Sequence, residues 1–306
     1  GKAYDADRHF EHWLVASSYL AYGGSLRVVR ADNADLKNAF FGSTTTAPKI
    51  KSLDQYNSLG YDDDTISGIT FVTRNPGTWG NGVKVAIIDG YADQTLSGIS
   101  TAGISVGMGV SQTVPAETII AGAGTTAVLD GSFKGVISGV GTNNIDIKLV
   151  QHVSAAGVTT QIDYQENGIY RFVGAATTQI EVYNSSGVGV ATISDGNPTD
   201  WFDAQKITLT NSEIFWNQIA PKPGTSAYAE ARNARFDETH IAVIDDDGDI
   251  TGNPGTILEK HLNLSKAKDA IFENGSVSYY REFVRSGSGY IFAGGQPAGA
   301  VAIDFK

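Results

Sequence analysis

Cysteine is absent from all 306 residues. That excludes a disulfide framework, a Cys-ligated zinc site and a thiol nucleophile, and it fits a cytosolic origin. Charged residues are scarce at 18%, and basic ones scarcer still. The 22 Lys+Arg stand against 33 Asp+Glu, for a net charge of −11 and a pI near 4.8. A surface of that sign repels phosphate backbones, so nucleic acid is not an expected partner. No run approaches the eighteen apolar residues of a membrane-spanning helix, so no membrane partner is expected. The opening "GKAYDADRHF" has neither the basic nor the apolar region of a signal peptide. It lacks an initiating Met and runs straight into a helix, so it reads as the start of a fragment.

Catalytic motifs are missing as well. There is no GxxxxGK[ST] phosphate loop and no G-x-S-x-G elbow. "GAGTTA" (Gly122–Ala127) imitates a dinucleotide fingerprint but sits in a β-patterned stretch with no helix after it. "RSGSGY" (Arg285–Tyr290) reads as a flexible turn before the strand "YIFAG". The histidines are His9, His12, His152, His240 and His261. His9 and His12 flank Glu11 at i, i+3, whereas the zincin pattern needs i, i+4 with Glu next to the first. They read as a polar helix face. His240 precedes a strand with no nucleophile near it. A glycosidase pair would need distant carboxylates assembled by the fold, and nothing in the sequence indicates one. The expectation is a non-enzyme with no catalytic, cofactor-binding or metal residues.

What the chain has in quantity is glycine, 36 residues, together with Thr, Val and Ile. That is the composition of many short strands joined by tight turns. Asp5 or Asp7 is placed to cap a helix running to about Tyr22, closed by Gly23 and Gly24. "SLRVVRA" (Ser25–Ala31) follows as a strand. Asn33 to Gly68, with the acidic tract Asp62–Asp64, reads as a linker or loop carrying one short helix near Leu53–Leu59. "GITFVTRNPGTWGNGVKVAIIDG" is strand, turn, strand. From Thr95 to Gly196 Lys and Arg almost vanish. Strands there recur every ten residues or so with Gly and Asn-Ser-Ser-Gly turns, the rhythm of a small β-sandwich or barrel. After "NPTDWFDAQ" the mixed pattern resumes, and "SVSYYREFVRSGSGYIFAGG" gives a helix and a strand. The fold expected is β-rich α+β and multi-domain, an outer mixed β domain carrying an inserted all-β sandwich or barrel-like domain. Its parts are 1–65 (helix, strand and linker), 66–97 with 197–306 (discontinuous outer domain), and 98–196 (insert).

The densest polar motif is Asp245, Asp246, Asp247 and Asp249. EF-hand spacing fails in either register: starting at Asp245 puts Ile250 at position 6 and Thr256 at position 12, and placing Gly248 at position 6 puts Val243 at position 1. Between "HIAVI" and "ITG", this reads as a hairpin with a tight turn; at most the carboxylates attract a cation weakly.

Several of these segments resemble the contractile tail sheath protein of T-even-like and cyanophage myophages. "SYLAYGGSLRVVRADN" (Ser18–Asn33) is similar to the family's helix–"YGG"–"RVVRA" unit, and "NPGTWGNGVKVAIID" (Asn75–Asp89) to its "PG–WGN" hairpin. "PKPGTS", "HIAVIDDDGDITGNPGTILEKHLNLSKAKDA" and "YYREFVRSGSGYIF" are similar to its outer β domain. The resemblance implies a structural virion protein, assembled in the host cytoplasm. It stacks as hexameric rings around the tail tube, contacts the baseplate, and contracts without a cofactor to drive the tube through the host envelope. The stretch 98–196 matches no family segment and is expected as a surface domain. The family's N-terminal arm and C-terminal domain have no counterpart, so this chain alone is expected to be monomeric. The alternative is a virion-surface or secreted module recognising carbohydrate, with Phe133, Tyr164, Tyr170, Phe172 and Tyr183 stacking on sugars or, equally, filling a β-domain core.

Overall fold

The computed structural model describes residues 6–27, 33–42, 46–60, 69–113, 118–122, 125–161, 172 and 178–294. Helix α1 (Ala6–Ala21) opens it. Its expected terminator is in place: Gly23 takes φ +80° and its N–H donates to Leu20 O at 3.0 Å, a left-handed cap that costs glycine no Cβ clash. Asp7 lies within the helix instead of capping it, and Asp5 is outside the described residues. Ser25–Arg27 belong to no strand, and the rest of "SLRVVRA" is outside the described residues.

Chain order then runs β1 (Phe40–Phe41), α2 (Leu53–Ser58), β2 (Phe71–Thr73) and β3 (Val83–Asp89). Next come β4 (Gln94–Ser97), β5 (Gly109–Thr113), β6 (Thr118–Gly122), β7 (Thr125–Leu129), β8 (Ser132–Val140), β9 (Asn144–Val153), β10 (Thr159–Gln161), β11 (Ile180–Tyr183), β12 (Gly189–Ile193) and β13 (Asn197–Asp200). The described elements then continue with β14 (Lys206–Thr208), β15 (Glu213–Phe215), α3 (Ala227–Glu230), β16 (Glu238–Asp245), β17 (Thr256–Ser265), α4 (Tyr280–Gly287) and β18 (Ile291–Ala293).

The middle of the chain makes one eight-stranded antiparallel sheet in the order β12-β11-β5-β8-β9-β4-β13, with β10 added on β9. Strands β12 and β13 stand at opposite ends of that order, yet only Ser194–Gly196 joins them. Such a link spans about 14 Å at most, so the sheet must roll until its ends approach. The rolled face holds a single core with a residue from almost every strand: Leu96, Val110, Ile137, Ile147, Ile180 and Ile193. Strict alternation along β8, with Phe133, Gly135, Ile137 and Gly139 buried and Lys134, Val136 and Val140 exposed, pins its register. The Asn-Ser-Ser-Gly turn forms as expected, with Asn184 Oδ1 accepting the N–H groups of Ser186 and Val188 at 3.0 Å each and Gly187 at φ +74°. "GAGTTA" falls across the β6–β7 hairpin. This β domain runs from Gln94 to Asp200, four residues beyond the expected 98–196 at each end. The boundary glycines, Gly98 and Gly196, have φ of +79° and +117° and make turns inside the domain.

The remainder forms a base. Strand β16 is central in a sheet ordered β17-β16-β3, and β2 is central in β1-β2-β18. The expected β2–β3 hairpin does not form. The turn Thr78–Gly82 carries the chain from one sheet to the other, and the "HIAVI" run explains the arrangement. Covered on both faces, it sends Ile241 and Val243 into a cluster with Phe71, Val284 and Ile291, and Ala242 and Ile244 into another with Trp201, Phe202 and Trp216. A third, smaller cluster includes Ile50, Tyr56, Val72 and Phe292, with the Tyr56 and Phe292 rings stacked at 4.3 Å. The base therefore takes in part of the segment 1–65. Helix α2 supplies Tyr56 and is capped by Ser52, whose Oγ accepts the Gln55 N–H at 3.2 Å, a local S-x-x-Q start.

Candidate functional site

The acidic motif is not a tight turn. Strands β16 and β17 are joined by the longer loop Asp246–Gly255, which swallows "ITG". Asp245 organises it. Fully buried, its carboxylate accepts from Thr251 N at 2.7 Å, Thr251 Oγ1 at 2.8 Å and Ile250 N at 3.1 Å. Asp246 points elsewhere, accepting from Thr210 N at 2.7 Å and pairing with Lys84 at 3.5 Å. Burial raises its pKa, but Thr210 and Lys84 outweigh that and hold the carboxyl below the usual range. Asp247 accepts from Asp249 N at 3.1 Å and lies against Gly82, where any Cβ would overlap its carboxylate. The carboxylates of Asp245, Asp246 and Asp247 are each used on different backbone N–H groups. Among the described residues no three His, Asp or Glu side chains gather as a metal would need, and His9 and His12 remain on α1.

The other histidines are held by local bonds. His152 Nε2 meets Asp130 O at 2.5 Å. His240 Nε2 donates to Pro221 O at 2.8 Å while Nδ1 accepts from Asn263 N at 3.1 Å, and burial pushes its pKa down. His261 Nε2 donates to Glu259 at 3.0 Å. Glu259 also accepts from Ser288 Oγ at 2.6 Å and Gly289 N at 2.7 Å. Ser, Glu and His are thus together, but the acid stands between the other two. A nucleophilic triad needs the imidazole in the middle to take the serine proton. Ser288 instead ties down "RSGSGY", accepting from Tyr290 N at 3.2 Å and Ile291 N at 3.1 Å. Arg285–Gly287 end helix α4, and only Ser288–Tyr290 link it to β18, held by Glu259 from β17.

Of the five aromatics, Phe133 and Phe172 are buried in the β-domain core, their rings 6.3 Å apart. The Tyr183 hydroxyl donates to Glu181. Tyr164 and Tyr170 lie outside the described residues.

Among the described residues two apolar surfaces stand out. On α1, Trp13, Leu14, Val15, Tyr19 and Leu20 are exposed. In the base a groove of about 810 Å³ runs between the outer strand β3 and the segment Leu36–Phe41, with Phe71, Val83, Val85, Ile87 and Ile291 in its walls.

The least ordinary chemistry lies where the chain crosses between the two bodies. Asp93, on the outgoing crossover, accepts Lys148 Nζ from β9 at 2.9 Å and also the Nζ of Lys222, from the base segment "PKPGTS". Lys222 donates in addition to Ala92 O. The Lys148 ammonium lies 3.9 Å from the Phe236 ring centroid, within cation–π range. Gly90 lets the Pro223 carbonyl approach, since a Cβ there would be 3.0 Å from that oxygen. Nearby, the Tyr91 hydroxyl donates to Ser138 O and its ring packs on Trp201. The side chains of Lys222, Asp93 and Lys148 are 2%, 8% and 11% exposed. Burial pushes Lys222 down to about 7, helped by Lys148 and opposed by Asp93 and Asp200. Burial raises the Asp93 pKa, but the two ammonium groups outweigh that and hold it below the usual range. Sequence reasoning missed this cluster, although one signal existed: Lys148 is one of only three basic residues between positions 95 and 196. A depressed lysine suits Schiff-base chemistry, but this one is enclosed by its partners, and no member of the cluster lines the groove.

Comparison with protein-family models, with curated proteins and with solved structures finds no match.

Proposed function

We propose that the chain is part of a structural subunit of a bacteriophage contractile tail sheath and has no catalytic role. One observation carries the reading. Apart from "SYLAYGGSLRVVRADN", the segments that resemble the sheath are scattered in sequence, on both sides of the stretch without a counterpart, but they come together in one body. "WGNGVKVAIID" and "HIAVID" are adjacent strands, β3 and β16. "TILEKHLNLS" is β17 beside them, and α4 and β18 from "YYREFVRSGSGYIF" complete the same core. The unmatched stretch forms the β domain apart from it. The exposed apolar face of α1 and the groove beside β3 are surfaces of the kind that assembly covers. In this reading no hydrolysis is needed, because contraction draws on the difference between two packings of one subunit. The chain by itself is expected to stay monomeric at micromolar concentration, its net charge of −11 opposing self-association. The test is negative-stain microscopy of the complete gene product at high concentration. Tubes of stacked rings support the proposal; monodisperse particles under every condition sink it.

A further inference from the structure

We propose that Asp93, Lys148 and Lys222 form a charge lock that holds the β domain on the base, so that opening it lets the domain turn on its two crossovers while both bodies stay folded. This goes beyond the sheath reading and does not depend on it. The topology isolates the contact. No strand of the β-domain sheet pairs with a strand of the base among the described residues, and the chain crosses only at Gly90–Asp93 and after Asp200. The backbone of Asp93 belongs to the β domain, its N–H donating to Ile147 O at 2.9 Å, so the bond from Lys222 spans the two bodies. Lys148 grips the other way, from β9 onto Phe236 of the base. It stands on the outer face of a strand whose Ile145 and Ile147 fill the β-domain core. Removing its head group therefore leaves that core intact.

The stoichiometry makes the members unequal. Two ammonium groups share one carboxylate, and a buried charge stripped of its partner is costly. Asp93→Asn strands both lysines. Lys222→Met leaves Asp93 and Lys148 as a matched pair inside the β domain and removes the bonds that Lys222 makes from the base to Asp93 and to Ala92 O. The cysteine-free sequence permits one spin label at Ser186→Cys on the β11–β12 turn and another at Glu273→Cys on the base, both exposed positions. In the parent, double electron–electron resonance should give one narrow distance distribution. In Lys222→Met it should broaden, and limited proteolysis at the crossovers should quicken about tenfold, as expected when a buried charged hydrogen bond is lost from a segment whose cleavage tracks its opening. Lys206→Met, which breaks only the exposed Lys206–Glu213 pair, should change neither. If Asp93→Asn fails to fold, Lys222→Met still decides. An unchanged distribution and cleavage rate in Lys222→Met overturns the lock. So does loss of the β domain's own melting transition, which would make the cluster a folding element.

Discussion

The β domain and the base solve the problem of burying apolar residues in opposite ways. The β domain rolls one sheet around one core and brings its edge strands together through Ser194–Gly196. The base divides its apolar residues among three clusters on small sheets and leaves β3 with a partner on one side only. The rolled sheet turns its two edge strands, β12 and β13, toward each other, whereas an open, half-apolar edge such as that of β3 is a surface that native proteins cover or guard. On the sheath proposal, the contrast makes the β domain the part expected to fold on its own and the base the part expected to meet neighbouring subunits. It can be broken at the core, at the lock, at the acidic loop and at the crossover.

The largest effect is expected from Phe133→Ala. Phe133 is 4% exposed and packs on Phe172, and truncating a buried Phe costs about 3–5 kcal/mol. In differential scanning calorimetry the β-domain transition should fall by that amount while the base transition holds. If both fall together, the two bodies unfold as one and the contrast fails.

The next concerns pH. Unfolded Lys222 titrates at the ordinary lysine value, but folded Lys222 near 7, with Asp93, Lys148 and Asp200 the charges acting on it. Below pH 7 both states are charged and the folded one bears the burial cost. Above it the unfolded state binds more protons, so stability rises with pH, by up to about 1.4 kcal/mol per unit. Urea melts of parent and Lys222→Met from pH 6 to 9 should show that rise in the parent only. Parallel curves would mean that the lysine stays charged.

A smaller loss follows from Asp245→Ala. It leaves the N–H groups of Ile250 and Thr251 without their acceptor, at about 1–3 kcal/mol for an unsatisfied buried group. Only the base should be affected. Millimolar Ca²⁺ should not stabilise the parent, because its carboxylates are each used on different backbone N–H groups; a calcium-dependent rise in melting temperature would restore the cation site.

Much of this architecture was legible in the sequence, and the failures have physical causes. The rise of Gly, Thr and Val and the loss of Lys and Arg mark the β domain, because strands and turns need those residue types whatever their partners. Helices α1, α2 and α4 and the central strand β16 follow from period and apolar run. What stayed hidden depends on contacts distant in sequence. "NPGTWGNG" has every residue of a hairpin turn, but β3 finds β16, with Asp89 opposite Thr239 and Val83 opposite Asp245, far away in sequence. "DDDGD" reads as a tight turn because nothing local reveals that Asp245 is buried and gathers the loop around itself. Asp93, Lys148 and Lys222 come from three separate segments, and only the scarcity of lysine around position 148 hinted at a purpose.

The smallest effect should come from the largest deletion. The crossovers meet: Trp201 N donates to Asp93 O at 3.2 Å. Residues 94–200 can therefore be replaced by a short Gly-Ser link without stretching the base. The cut removes Lys148 but keeps Asp93 beside Lys222, so the remaining charges match one to one. Each cluster of the base keeps its members, since Trp201, Phe202 and Ala92 stay. The shortened chain should be soluble and melt within about 1 kcal/mol of the base transition in the parent, within the additivity expected of bodies with separate cores. A base that collapses or aggregates would show that the β domain covers part of it, and the two bodies would then have to be read as one.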